Sequence, residues 1–103
     1  MKESVNKALR ETAETIGLEA LTFLLAEPRQ RDRFLAETGF EPADLVGNAD
    51  AAHVLGAVLS RLMEDEALLL SFAANQGLAP KDVMKAHEFF ATDGGRTRPL
   101  GSA

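Results

Sequence analysis

Residues 65–77 read DEALLLSFAANQG, and this stretch decides the fold class. Wound into a helix at about 100° per residue, Leu68, Leu69, Leu70 and Phe72 point in almost every direction, with Ala67, Ala73 and Ala74 between them. Glu66, Ser71, Asn75 and Gln76 are polar but share no face. A helix that is apolar all round needs neighbours on most sides. The stretch is therefore expected as the central helix of a small bundle, with Asp65 as its N-cap and Gly77 just past its end.

The flanking segments supply the neighbours. Residues 51–64 form an amphipathic pattern after Asp50, a suitable cap. Val54, Leu55, Val58, Leu59, Leu62 and Met63 lie on one side of it, and His53, Ser60 and Glu64 on the other. Pro80 opens a last helix to about residue 91, with Val83, Ala86 and Phe90 inward. Upstream, Ser4 caps a long helix to about residue 26, which Pro28 stops by disfavouring helical geometry at Glu27. Gly17 interrupts it and suits a close approach by another helix, while Leu18, Leu21, Leu24 and Leu25 widen its apolar stripe. A short helix over 29–38 ends at Gly39, and one or two further turns cover residues 42–47.

Two turns repeat. Phe34, Ala36, Gly39, Pro42 and Asp44 recur as Phe72, Ala74, Gly77, Pro80 and Asp82 at an offset of 38 residues, without gaps. Leu21, Leu24 and Leu25 fall on Leu59, Leu62 and Met63 at the same offset. Two copies are too few for a solenoid, so the pattern reads as a duplicated helical hairpin. The glycines suit a left-handed residue after a helix, and the prolines suit the first helical position. Phe40 with Leu45, and Leu78 with Val83, are spaced as hydrophobic staples. The fold class expected is all-α, a compact bundle of five or six helices containing this duplicated hairpin. Residues 1–92 are expected as one domain and residues 93–103, which carry Gly94, Gly95, Pro99 and Gly101, as a flexible tail.

Composition narrows the function classes. The chain has 103 residues, no Cys, Trp or Tyr, and a formal charge of −5. A disulfide framework and thiolate chemistry are excluded, and an acidic balance disfavours nucleic acid and anionic lipid as partners. The N-terminus is too polar for a signal peptide and no apolar run reaches a membrane span, so a cytoplasmic location is expected.

The segments LTFLLAEPRQRDRFLAETGFEPADL and LSRLMEDEALLLSFAANQGL resemble those of a small, mainly alphaproteobacterial family catalogued only as a domain of unknown function. The resemblance covers residues 18–86 and is most specific over DEALLLSFAANQGLAP. It implies a bacterial origin and an all-α fold, and it brings no activity, cofactor or catalytic residue.

Candidate chemistry is sparse. His53 lies on a polar face and His87 borders the Val83/Phe90 stripe, where a hydrogen-bonded, half-buried histidine is expected. Neither has a second ligand at metal spacing on its own helix. Glu64, Asp65 and Glu66 cluster at a helix start, where capping suffices to explain them. Arg29 and Arg33 share a face, with Arg31 nearly opposite, and the repeat maps them onto Ala67, Ser71 and Leu69. The first copy is thus expected to carry charge where the second is buried. No catalytic, metal or cofactor residue is expected, and no small-molecule substrate.

Two functions fit this pattern. One is a helix-turn-helix DNA reader running from Ala73 to Phe90, presenting Lys81, Met84 and Lys85. Asp82 and Glu88 offset the two lysines, however, and DNA affinity is mostly phosphate neutralisation. The favoured one is a non-catalytic protein-interaction or regulatory module. The long first helix is expected to overhang the shorter ones, exposing Val5, Leu9, Ala13 and Ile16 as an apolar seam. Lys7, Arg10, Glu11 and Glu14 flank the seam, which suits a partner protein or a second copy.

Overall fold

The computed structural model describes residues 2–41, 43, 45 and 51–92. Among these residues five helices follow one another: α1 (Lys2–Ala26), α2 (Pro28–Thr38), α3 (Ala51–Met63), α4 (Glu66–Gln76) and α5 (Pro80–Thr92). No strand occurs among the described residues, and the chain is an all-α bundle.

The helix ends follow local chemistry. Glu27 is extended at φ −105° and ψ 114°, which breaks α1 from α2 as a residue before proline should. Asp65 Oδ1 accepts the Leu68 N–H at 3.1 Å and caps α4. Gly39 and Gly77 both take positive φ, 79° and 68°. Behind Gly77, the Leu78 N–H reaches back to the Ala73 carbonyl at 2.9 Å, the closure of a Schellman turn. Asp82 Oδ2 accepts the Ala79 N–H at 3.2 Å, one half of a capping box that fixes the start of α5. Helix α1 begins at Lys2, so Ser4 lies inside it rather than capping it. Between α2 and α3, Ala43 and Leu45 are in 3₁₀ geometry. The expected roles of Pro42, Asp44 and Asp50, and the expected tail at 93–103, lie outside the described residues.

Pairwise contacts set the topology. Arg10 sits over Phe89, and Ile16 borders one cavity with Leu78, so α5 runs opposite to α1. Gly56 meets Phe90, and Ser60 meets His87, so α5 also runs opposite to α3. Helices α1 and α3 therefore run in the same direction. They touch where Gly17 lies: a Cβ there would stand 3.0 Å from Leu55 Cβ, so the glycine permits the close approach.

The centre of the bundle is α3 and not α4. Val54, Leu55, Val58, Leu59 and Leu62 are all buried, wedged between α1 and α5. Helix α4 buries only Phe72 and Ala73, with Phe72 tilted against Phe23 at 5.4 Å between ring centroids. Leu68 and Leu69 are half-buried and Leu70 is 47% exposed. An 11-residue helix held between a sharp corner at 64–65 and the Gly77 turn packs on one side only. The 13-residue α3 lies along α1 and the equally long α5 at once, and burial follows that contact rather than all-round apolarity. The expected difference between repeat positions fails at two of three: Ala67 and Ser71 are exposed, like Arg29 and Arg33, whereas Leu69 is half-buried and Arg31 exposed.

Packing of α1 is also distributed differently from the expectation. Ala13, Ile16, Ala20 and Leu24 are buried, whereas Leu18, expected in the packed half, is 54% exposed. The stripe is narrower than its leucine content suggests, because α3, α5, part of α2 and Phe72 of α4 cover one side of α1.

Among the described residues one charged side chain is buried, Arg61 near the end of α3, at 6% exposure. Its Nη2 lies 3.6 Å from Asp65 Oδ2, near enough for charge attraction and too far for a hydrogen bond. Nε and Nη2 have no hydrogen-bond partner among the described residues, and neither has Gln30 Oε1. At the matching position of the first copy stands Phe23.

Candidate functional site: a groove between the first and last helices

The expected seam divides at Ala13. Ala13 and Ile16 turn inward and are buried, because α5 runs beside α1 as far as Arg10 and covers them. The overhang is shorter than expected: every described residue from Lys7 to Thr12 is exposed, Leu9 by 52%. Val5 lies outside the described side chains.

Leu9, Ala13 and Ile16 nonetheless come together as one wall of an open groove. Leu78, Ala86 and Phe89 form the facing wall, and the space between measures about 430 Å³. Ala13 and Ala86 are small, buried side chains on the two opposed helices, and they line the hollow together with the larger Leu9, Ile16, Leu78 and Phe89. An adjoining hollow of about 490 Å³ shares Thr12, Ile16 and Leu78 and continues past Thr15 to Glu19 and Gln76. The Gly77 turn positions Leu78 at the junction of the two hollows.

The rim is polar and acidic. Asp82, Lys85 and Glu88 stand along the first hollow, and Glu11 and Glu19 along the second. Arg10 leans over Phe89 at 5.9 Å from the ring centroid, closing the outer end with a cation–π contact. Phe89 in turn meets Phe90 edge-on at 5.3 Å. Phe89 has no place in the sequence reading, and Leu78 enters it only as the staple partner of Val83. The signal lay in a second stripe on α5, Asp82, Lys85, Ala86 and Phe89 at three- and four-residue spacing, beside the inward stripe of Val83, Ala86 and Phe90.

The other candidate residues have structural partners. His87 is half-buried, and its Nε2 shares a hydrogen bond with Ser60 Oγ at 3.1 Å, tying α5 to α3. His53 is exposed and meets Phe40 edge-on at 5.5 Å. Arg31 pairs with Asp32 at 3.4 Å, and Arg33 with Glu37 at 3.0 Å. The Glu37 hydrogen bond and charge, helped by Asp65 and Glu64, hold the Arg33 guanidinium above its ordinary pKa. Asp65 is occupied as a cap and as the partner of Arg61. Among the described residues no three His, Asp or Glu side chains gather as a metal site. No helix there is long and apolar enough to cross a membrane.

On α5 the residues expected to read DNA, Lys81, Met84 and Lys85, are all exposed, with Glu88 beside them. Ala73 and Val83, expected to pack the turn, are buried.

No curated protein and no solved structure matches this chain. A family model described as protein of unknown function (DUF3572) matches residues 10–93, from the exposed start of the groove on α1 to the end of α5. The chain belongs to the DUF3572 family.

Proposed function

We propose that this protein is a non-catalytic interaction module, acting in the cytoplasm, whose docking surface is the groove between α1 and α5. The observation that carries this reading is Leu9: a leucine more than half exposed at the mouth of an apolar groove that Ala13, Ile16 and Phe89 floor. Exposed apolar surface rimmed by charge supports recognition of another protein. The occupant is a partner protein or a second copy engaging the N-terminal helix.

A photo-crosslinking residue placed at position 9, and another at the equally exposed Leu18 on the far side of α1, tests this in native cells. A discrete adduct at position 9 and none at position 18 is the expected result. Equal labelling at both positions, or none at either, removes the groove. Sedimentation equilibrium on the full chain and on a variant lacking residues 1–12 separates the two occupants. A monomer in both cases across the micromolar range excludes the second copy.

The helix-turn-helix reading is the second choice, favoured by the exposure of Lys81, Met84 and Lys85 on one face of α5. Two lysines beside Glu88 neutralise few phosphates. A gel shift on random duplex DNA at low salt is expected to show no retarded band.

A further inference from the structure

We infer that the hollow between α1 and α5 binds a small amphipathic carboxylate, an acyl chain of medium length whose anionic head rests on Arg10 and Lys85. The inference goes beyond the docking of another protein and holds whether or not one binds. Size and lining set the class of ligand. The hollow measures about 430 Å³, inside the range of about 300–1,000 Å³ that small-molecule sites occupy. Leu9, Ala13, Ile16, Leu78, Ala86 and Phe89 give it apolar surface from both sides. From Leu9 to Ile16 on α1, and from Asp82 to Phe89 on α5, steps of 1.5 Å per residue make it about 10 Å long. Past Ile16 and Leu78 the adjoining hollow turns polar, with Glu11, Thr15, Glu19 and Gln76 around it, so the apolar surface ends there. A short chain is the body that fits such a surface.

The head group follows from which charges are still uncommitted. Arg10, Lys85, Asp82 and Glu88 stand around the hollow, two of each sign. Asp82 accepts the Ala79 N–H at 3.2 Å and caps α5, at the Leu78 end. Glu88 has a partner of its own. Among the described residues neither Arg10 nor Lys85 is in an ion pair. Arg10 lies 5.9 Å from the Phe89 ring centroid, at the end away from Asp82. Contact with a ring leaves the guanidinium N–H groups unspent, and their fork matches a planar carboxylate. Lys85 stands one turn before Phe89 on the same stripe and adds a second positive charge. An anionic head at the Phe89 end is about 10 Å from Asp82, roughly a Debye length at physiological salt, so the cap carboxylate repels it little.

Titration of the full-length chain with octanoate, octanol and octylammonium, followed by amide NMR shifts, separates the head from the body. Octanoate is expected to saturate, with shifts centred on residues 9–16 and 78–89, and to bind roughly tenfold tighter than octanol. Octylammonium is expected to bind most weakly. Decanoate should bind about tenfold tighter than octanoate, as two more buried methylenes imply. Leu9→Asp should abolish binding, and Leu18→Asp, at the equally exposed leucine on the far side of α1, should leave it unchanged. Arg10→Gln combined with Lys85→Gln should bring octanoate down to the level of octanol and leave octanol as it was. All of these side chains are exposed, and unchanged thermal melts confirm that the variants fold. Octylammonium binding as tightly as octanoate, or an octanoate advantage that survives the double glutamine variant, overturns the anionic head. No saturation by any of the series in the millimolar range, or binding that Leu9→Asp leaves intact, overturns the site. Self-association that Leu9→Asp abolishes and octanoate does not compete with gives the hollow to a second copy and overturns the ligand. Each result is read without any protein partner, so it stands or falls apart from the crosslinking at position 9.

Discussion

At the scale of single residues, two glycines on facing helices separate backbone preference from packing. Both occupy helix interiors, where alanine is better by about 1 kcal/mol. A methyl on Gly17 meets Leu55 Cβ at 3.0 Å, on the backbone-proximal atom of a core side chain that has no room to retreat. A methyl on Gly56 meets Phe90 Cβ at 3.4 Å, within ordinary contact. Gly17→Ala should therefore destabilise, by about 1–2 kcal/mol after the propensity gain. Gly56→Ala should be neutral or stabilising by up to about 1 kcal/mol. Urea titrations followed by far-UV circular dichroism give both values, and equal effects would contradict the close approach of α1 to α3.

Arg61 is the residue-scale surprise. A buried guanidinium with one ion-pair partner 3.6 Å away, and two nitrogens without hydrogen bonds, does not recover its desolvation cost. Arg61→Met should leave stability unchanged or raise it by about 1–2 kcal/mol, since methionine has similar reach and no charge to bury. Asp65→Ala should cost about 2 kcal/mol or more, because it removes the α4 cap and leaves Arg61 as an uncompensated buried charge. The expected sign reversal between two partners of one ion pair can be read from thermal melts of the two variants.

At the scale of elements, α4 is the informative helix. Phe72 is wholly buried beside Phe23, while Leu70, two residues earlier, is half in solvent. Phe72→Asp should unfold the domain, since burying an unpaired carboxylate costs several kcal/mol against a total of about 5–10. Leu70→Asp should change stability by less than about 1 kcal/mol. Cooperative melting retained in the first variant, or lost in the second, would show that α4 is turned differently. The turns that follow α2 and α4 were legible in residues 39 and 77, because a left-handed helix end is a local requirement that glycine alone meets without strain.

At the scale of the whole molecule, stability is unevenly distributed. Helix α3 lies against both α1 and α5, whereas α1 before Ala13 has no buried side chain among its described residues. Hydrogen exchange should be slowest over residues 54–62 of α3, where opening requires global unfolding. It should be faster by several orders of magnitude over residues 7–11, where fraying breaks no core contact. Uniform protection along α1 would mean that its first turns are already covered by another chain.

The sequence by itself determined the helices, several of their ends and most of the core, though not the start of α1, where Ser4 lies inside the helix. Helical periodicity, Pro28, Asp65, Gly77 and Pro80 act through neighbours within one or two turns, and a linear text carries such information in full. It also marked Leu9, Ala13 and Ile16 as one stripe, and the inward set Val83, Ala86 and Phe90. Only the tertiary structure decided which helix is central, that Arg61 is buried, that Leu18 and Leu70 face solvent, and that Leu78 and Phe89 complete a groove with Leu9. Each of these depends on which helices lie side by side over what length. Apolarity says that a side chain gains by leaving water, at roughly 25 cal/mol for each Å² removed. Which side chains are removed from water is set by neighbours far away in the chain. Helix α4 has the composition of a core helix and lies at the edge, because α1 and α5 pack along α3 instead.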